Sequence, residues 1–329
     1  MSDLPLVEDV QAQAPTLHIS LSRVGVTNVE KVVRIGANGA ERLYWARLDC
    51  FVDLGPKQKG AHMSRFEEVV NEAIREVVLA EKVFRAETLA HHIAEKVRDR
   101  QGARRAEVRI EARYPEHKPA PVSGIETQEL YTLLGTAVAS DAGTRRLVGV
   151  RAQGITACPC AQGLVQATSR ERLLADGFSQ DEVARVFEAV PVATHNQRGL
   201  GTLHIGCPED CETDIDAERL LKIVEDSMSS EIYELMKRSD EGAVVEKAHR
   251  RPRFVEDCVR ESIRGVLERF PELTDGHFVM ARQENLETIH QHNVVAERYG
   301  LLGELRREAA SGETSERQVS MREWLAGRD

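Results

Sequence analysis

The segment from Arg42 to Leu54, RLYWARLDCFVDL, alternates residue by residue. Tyr44, Ala46, Leu48, Cys50, Val52 and Leu54 share one face, while Arg47, Asp49 and Asp53 share the other with Trp45 and Phe51. Period two is the mark of a strand with one face on a core. Such a strand needs an apolar cover, and the next eighty residues carry one. Phe66, Val69, Val70, Ala73, Val77 and Val78 recur at helical spacing, as do Leu89, Ile93 and Val97 between Glu87 and Arg100, and the strand-like AEVRIEARY follows. Asn38-Gly39, between VEKVVRI and RLYW, is a turn signal that makes the opening a hairpin.

Three prolines and a glycine in PEHKPAPVSG (115–124) interrupt this pattern. After them LYTLLGTAVAS and RRLVGVRAQGITA flank DAGT as a second hairpin, and GLGTLHIG reads as a short strand. DIDAERLLKIVEDSMSSEIYELMKR reads as one long helix with Leu220, Ile223, Val224, Ser227, Met228 and Leu235 inward. A further helix enters at Pro252 with Val255, Val259, Ile263 and Val266 on its stripe, and HFVMARQEN closes as a strand. Strands, two helices and strands thus occur twice. The order predicts an α+β protein with antiparallel sheet and helices packed on one side, residues 1–122 forming a first unit and 123–329 a second.

Composition excludes several functions. Lys and Arg number 44 against 54 Asp and Glu, a net charge of -10, which repels a phosphate backbone on average, so no nucleic-acid partner is expected. No apolar run approaches ~18 residues and no basic segment leads into one, so a cytoplasmic protein without membrane contact is expected. In that setting the six cysteines read as thiols or ligands and not as a disulfide framework.

Thiolate, imidazole and carboxylate are the side chains that hold a catalytic divalent metal with a position open to water. Cys158, His195 and Glu231, the last expected late in a helix, are such a set. In GITACPCAQG an extended chain would point Cys158 and Cys160 the same way, but the intervening proline disfavours a symmetric clamp. One sulfur is expected to bind and the other to lie beside it; the bland alternative is two small buried residues. Cys207 and Cys211 in CPEDC form a looser pair without partners at zinc-finger spacing. In ENLETIHQHN, a helix would put Glu287 and His290 on one face, where the carboxylate orients the imidazole for proton transfer, whereas an extended chain would pair His290 with His292. Glu246, behind Val244 and Val245, is either a partly buried carboxylate able to grip an N–H edge or a glutamate on a helix surface.

GITACPCAQ, THNQRG, SSEIYELMKRSDEGAVVEKAH and ENLETIHQHN, in this order, resemble the type IB GTP cyclohydrolases. LPLVEDVQ, RVGVTNVEKVV, FVDLGPKQKGAHMSRF and PAPVSG extend the resemblance over nearly the whole chain. It implies tandem tunnelling-fold units, GTP as substrate, and a homo-oligomer, dimer or tetramer, with active sites near subunit interfaces. One divalent metal per site is implied, Fe(II) foremost with Mn(II) or Zn(II) as alternatives, held by Cys158, His195 and Glu231. Glu246 then takes the guanine edge, and Glu287, His290 and His292 join Cys158 as catalytic residues. His62, Arg65 and Arg198 are candidates for the triphosphate, since guanidinium forks suit phosphate oxygens.

In short bacterial members HNQR follows CPC within about ten residues, whereas here 34 residues separate Cys160 from His195, including the helical SQDEVARVFEAVP. This longer form resembles the archaeal Fe(II)-dependent enzymes of methanopterin synthesis, which implies hydrolytic opening of the guanine ring at C8, loss of formate and reclosure to a 7,8-dihydroneopterin triphosphate or 2',3'-cyclic phosphate. Two other readings compete. A tunnelling-fold nitrile reductase would use a cysteine nucleophile with NADPH, and a thiol or metal structural module would use CPC and CPEDC as its two arms.

Overall fold

Alternation at the start of the chain produces the hairpin it predicts. In the computed structural model, which describes residues 9–35, 42–80, 85–209, 213, 215–315 and 317–327, β1 (Leu21–Ile35) pairs antiparallel with β2 (Arg42–Leu54). The Asn38-Gly39 turn between them lies outside the described residues. Helices α1 (Met63–Ala80) and α2 (Ala86–Gln101) follow, then β3 (Arg105–Pro119), β4 (Glu126–Ser140) and β5 (Gly143–Ala157). Two helices, α3 (Pro159–Ala175) and α4 (Gln180–Ala189), separate β5 from β6 (Asn196–Cys207). The chain continues through α5 (Ala217–Ser227), the two-residue β7 (Ser230–Glu231), α6 (Arg238–Arg250), α7 (Val255–Arg269), β8 (Phe278–Leu286), β9 (Val294–Leu301), α8 (Leu302–Ser311) and α9 (Met321–Leu325).

All these strands join one antiparallel sheet in the order β1-β2-β3-β4-β5-β6-β8-β9, with β7 added beside β5. Two strands, two helices and two strands recur in β1–β4 and, with α3, α4, β7 and α6 interposed, in β5–β9. The division expected at 122/123 falls in the connection between β3 and β4, which pair from Arg105↔Ser140 to Pro119↔Glu126, so the sheet runs on across it.

The core lies on one face of the sheet. Tyr44, Ala46, Leu48, Cys50, Val52 and Leu54 are all buried there, in one cluster with Phe66, Val69 and Val70 of α1 and Leu89, Ile93 and Val97 of α2. Leu220, Ile223 and Val224 of α5 and Val259 and Val266 of α7 continue the cluster over the second half. Beneath the opposite face Trp324 of α9 packs with Val138, Leu147 and Phe278, stacking on Phe278 at 5.6 Å between ring centroids. Among the described residues no helix is long and apolar enough to cross a membrane.

One carboxylate ties the breaker segment to the second half. Asp240, buried at the start of α6, accepts from the amides of Val122, Ser123 and Lys237 and from the Ser123 hydroxyl, each at 2.7–2.8 Å. Burial alone would raise its pKa, but the donors from Ser123, Lys237 and Val122 outweigh it and hold the carboxyl well below its ordinary 3.8. The stability it contributes is therefore complete above 3.8 and lost as pH falls toward the lowered folded value. Asp240→Asn is expected to lower the urea midpoint at neutral pH and to flatten its fall in acid; equal slopes for both proteins below that pH would disprove the clamp. Trp324→Ala, which empties a fully buried site, is expected to cost ~3–5 kcal/mol in the same assay.

Candidate functional site

The end of β5 assembles the site. After Ala157 the chain turns at once into α3: Cys158 is its N-cap in extended conformation, Pro159 occupies the first turn, and the Cys158 sulfur accepts from the Ala161 amide at 3.5 Å. The sulfur thus sits at the positive end of the α3 dipole. Cys160, already helical, is exposed, while Cys158 is half-buried. The two side chains therefore part company, because the helix starts between them and removes the extended geometry that would have aligned them.

His195 directly precedes β6. Its carbonyl accepts from the Cys158 amide at 3.1 Å, and the neighbouring Thr194 hydroxyl donates to the Cys158 carbonyl at 2.9 Å, so backbone pairing holds residues 158 and 195 side by side despite the 36 residues between them. Nδ1 of His195 lies 3.1 Å from Oε1 of Gln197, whose Nε2 donates to the Thr156 hydroxyl at 3.0 Å. A carboxylate oxygen of Glu287 lies 3.9 Å from the same nitrogen.

Glu231 does not lie in a helix. α5 ends at Ser227, and the serines that follow bond to strand β5: the Ser229 hydroxyl accepts from the Ala157 amide at 3.0 Å, and Ser230 and Glu231 pair with Ile155 and Gly154. Leu235, expected inward on a continued helix, is accordingly exposed. The Glu231 carboxylate accepts from Tyr233 at 2.9 Å and from Lys247 at 2.5 Å. Burial would raise its pKa, but the Lys247 ammonium and the Tyr233 hydroxyl hold it below the usual glutamate value.

The remaining expected residues divide between this region and elsewhere. Glu287, His290 and His292 lie in an irregular connection between β8 and β9, which the Thr288 hydroxyl ties to the Asn196 carbonyl at 3.1 Å. Glu287 turns toward His195 and does not share a helix face with His290; His290 and His292, both exposed, stack at 5.1 Å. Glu246 is exposed and pairs with Arg250, because the buried stripe of α6 is Asp240, Val244 and Ala248, half a turn away. Arg198 bonds Gln153 on the wall of a recess of about 500 Å³ that also takes in Asn196, Gln197, Tyr233 and Thr288. His62 pairs with Asp9 and with Gln101, and Arg65 donates to the Arg100 carbonyl, so both belong to the end of α2. Cys207 is buried in the core at the end of β6, and Cys211 lies outside the described residues.

As a metal site the donors fit in part. Cys158 and His195 are adjacent and chemically suited, with the imidazole held by one nitrogen so that the other is left over. Glu231 is engaged by Lys247, and among the described residues no three His, Cys, Asp or Glu side chains converge into a metal-holding group.

Residues 7–296 match the family model for type I GTP cyclohydrolase folE2. The chain belongs to this family. Within it, the chain is 40% identical over 307 residues to a GTP cyclohydrolase MptA of Methanococcus vannielii, with 91% of this chain and 98% of that protein covered. A GTP cyclohydrolase MptA of Methanosarcina mazei is 41% identical over 309 residues, covering 91% and 96%. This member of the enzyme family shares its fold with the tunnelling-fold uricase of Arthrobacter globiformis, at a TM-score of 0.52 and 8% identity over 90% of this chain and 96% of that one.

Residue types alone did not single out Gln197, Thr156, Tyr233 or Lys247. All four lie within two residues of a candidate ligand or of Glu246: Thr156 before Cys158, Gln197 after His195, Tyr233 after Glu231 and Lys247 after Glu246, and that adjacency was the available signal. Placement of Glu231 depends on Gly154, where an added Cβ would lie 2.9 Å from the Ser230 carbonyl and 2.6 Å from Met228. Gly154→Ala is therefore expected to cost ~1–3 kcal/mol and to detach β7 from β5. Loss of amide-exchange protection at Ser230 and Glu231 in the folded variant is the measurement; unchanged protection would contradict it.

Proposed function

We propose that this protein is a GTP cyclohydrolase that opens the imidazole ring of the guanine base at C8, releases formate and recloses the product to a 7,8-dihydroneopterin phosphate. The observation that carries the reading is the family match over residues 7–296, within which the CPC, HNQR, SSEIYELMKR and ENLETIHQHN segments follow one another as in the resemblance. The product we favour is the 2',3'-cyclic phosphate, with diphosphate leaving. The long spacing between Cys160 and His195 and the identity to proteins named MptA support that choice over the triphosphate.

In this reading Cys158, His195 and Glu231 hold one divalent ion, Fe(II) foremost, with Mn(II) or Zn(II) as alternatives. When bound, the ion supplies Lewis acidity for the activation of water. Glu231 joins by leaving Lys247. Arg198, on the recess wall, takes phosphate oxygens, and Tyr233 closes the recess near the base. Glu246 takes the guanine edge, and His62 and Arg65 add phosphate contacts. Those three residues are not gathered at Cys158 within one chain, which accords with a homo-oligomer, dimer or tetramer, whose sites lie near subunit interfaces. His290 and His292, exposed on their loop, carry protons between the purine, the ribose and solvent, with Glu287 beside His195 at 3.9 Å.

Anaerobic incubation with GTP and Fe(II), Mn(II) or Zn(II) is expected to release formate and a fluorescent pterin after oxidation; no formate with any of the metals would refute the activity. Diphosphate release distinguishes the cyclic product. Cys158→Ser is expected to abolish turnover, and His290→Ala to lower kcat by ~10²–10⁴ with little change in KM, the range for loss of a proton-transfer group. A change confined to KM would make His290 a binding residue.

A further inference from the structure

His195, Gln197 and Thr156 form a hydrogen-bonded series that leads inward from the half-buried imidazole. Gln197 on β6 and Thr156 on the neighbouring β5 are both buried, facing each other across the register pair Thr156↔Gln197. Thr156 is sealed behind Gln197, which also borders the recess beside Asn196 and Arg198. The Gln197 amide has two ends with different partners. Nε2 donates to the Thr156 hydroxyl at 3.0 Å, which leaves the carbonyl oxygen to face Nδ1 of His195 at 3.1 Å. A carbonyl oxygen only accepts, so the nitrogen opposite it must carry hydrogen. The Glu287 carboxylate, 3.9 Å from the same Nδ1, lies beyond hydrogen-bond reach, so Gln197 is the group that sets the proton's place.

We propose that Gln197, braced by Thr156, is the positioning residue that keeps neutral His195 in the Nδ1–H tautomer and presents Nε2 as a lone-pair donor beside Cys158. The inference deepens the metal reading of this site, and its metal arm rests on that reading; the tautomer itself does not. In the opposite tautomer Nδ1 would direct a lone pair at the Gln197 carbonyl oxygen, and Nε2 would carry a proton where a ligand is required. A histidine's free nitrogen is set by the hydrogen bond its other nitrogen makes. The brace is built into the sheet: Thr156 and Gln197 are held by the same β5–β6 ladder that brings Cys158 to His195, so ring orientation and ligand proximity come from one set of backbone bonds.

The test reads the tautomer directly. Long-range ¹⁵N–¹H spectra of the metal-free protein with ring-labelled histidine, recorded at about pH 8 so that ordinary imidazoles are neutral and assigned with His195→Gln, are expected to show His195 as Nδ1–H. Gln197→Leu is expected to shift it toward Nε2–H and to weaken Mn(II) binding, measured by anaerobic titration calorimetry, by ~10–100-fold. Gln197→Glu, which keeps an acceptor at the same reach, is expected to restore both. An Nε2–H signal in the wild-type protein, or a Gln197→Leu variant of unchanged thermal midpoint that keeps the Nδ1–H signal, would overturn the proposal. Wild-type protein that binds no divalent metal would instead overturn the metal reading, with the tautomer signal still deciding the role of Gln197. Should Gln197→Leu not fold, Thr156→Val, which removes only the brace, is expected to produce a mixture of tautomers, and a pure Nδ1–H signal there would count against the proposal.

Discussion

Everything at the candidate site hangs on the antiparallel ladder of β5. Its pairing with β6 runs from Arg146↔Cys207 to Ala157↔Asn196, and one more bond, from the Cys158 amide to the His195 carbonyl, extends it past the strand end. Beyond Arg151 the opposite edge of β5 is no longer paired with β4, and β7 takes that place, bringing Glu231 to Gly154. A single strand therefore fixes the positions of three residues far apart in sequence. Backbone hydrogen bonds suit this task because a buried amide left unpaired costs ~1–3 kcal/mol, so the register has little freedom to slip.

Two buried polar devices support that strand from outside the ladder. The Ser229 hydroxyl accepts from the Ala157 amide, which serves the last β5 donor on the β7 side and draws the chain out of α5 into β7. The Asp240 carboxylate gathers four donors from two separate segments and fixes α6, whose Lys247 in turn reaches Glu231. Each is a short polar side chain that answers a backbone demand created by the tertiary arrangement. Together they explain how a helix glutamate by sequence pattern becomes a strand glutamate in the structure.

The 34 residues between Cys160 and His195 carry the rest of α3 and all of α4, and no residue of α3 is buried. Their length leaves the site undisturbed because both ends of the excursion are pinned: the start by Cys158 as N-cap, the end by the backbone pairing of residues 158 and 195. Added length in a surface connection adds little closure entropy, since that term grows only with the logarithm of loop size.

Alternation in β2 and the apolar spacing of α1, α2 and α7 were legible in the chain because a half-buried strand and an amphipathic helix write their period directly into residue type. The DAGT turn was legible for the same local reason, and Ser140 does face Gly143 across it. Motif order was enough to place the chain among GTP cyclohydrolases. What residue type did not reveal was every choice between local conformations of similar energy. The serine run after Ser227 suits a helix end or a strand edge, and the unpaired β5 amide decided it. CPC suits an extended pair or a helix cap, and α3 decided it. Glu287 could orient His290 or face His195, and the bond from Thr288 to the Asn196 carbonyl decided it. The sequence by itself determined which segments have an inside and which chemical groups the protein owns; tertiary structure alone decided which groups meet, because proximity across a sheet is set by register between strands and leaves no periodic trace in either one.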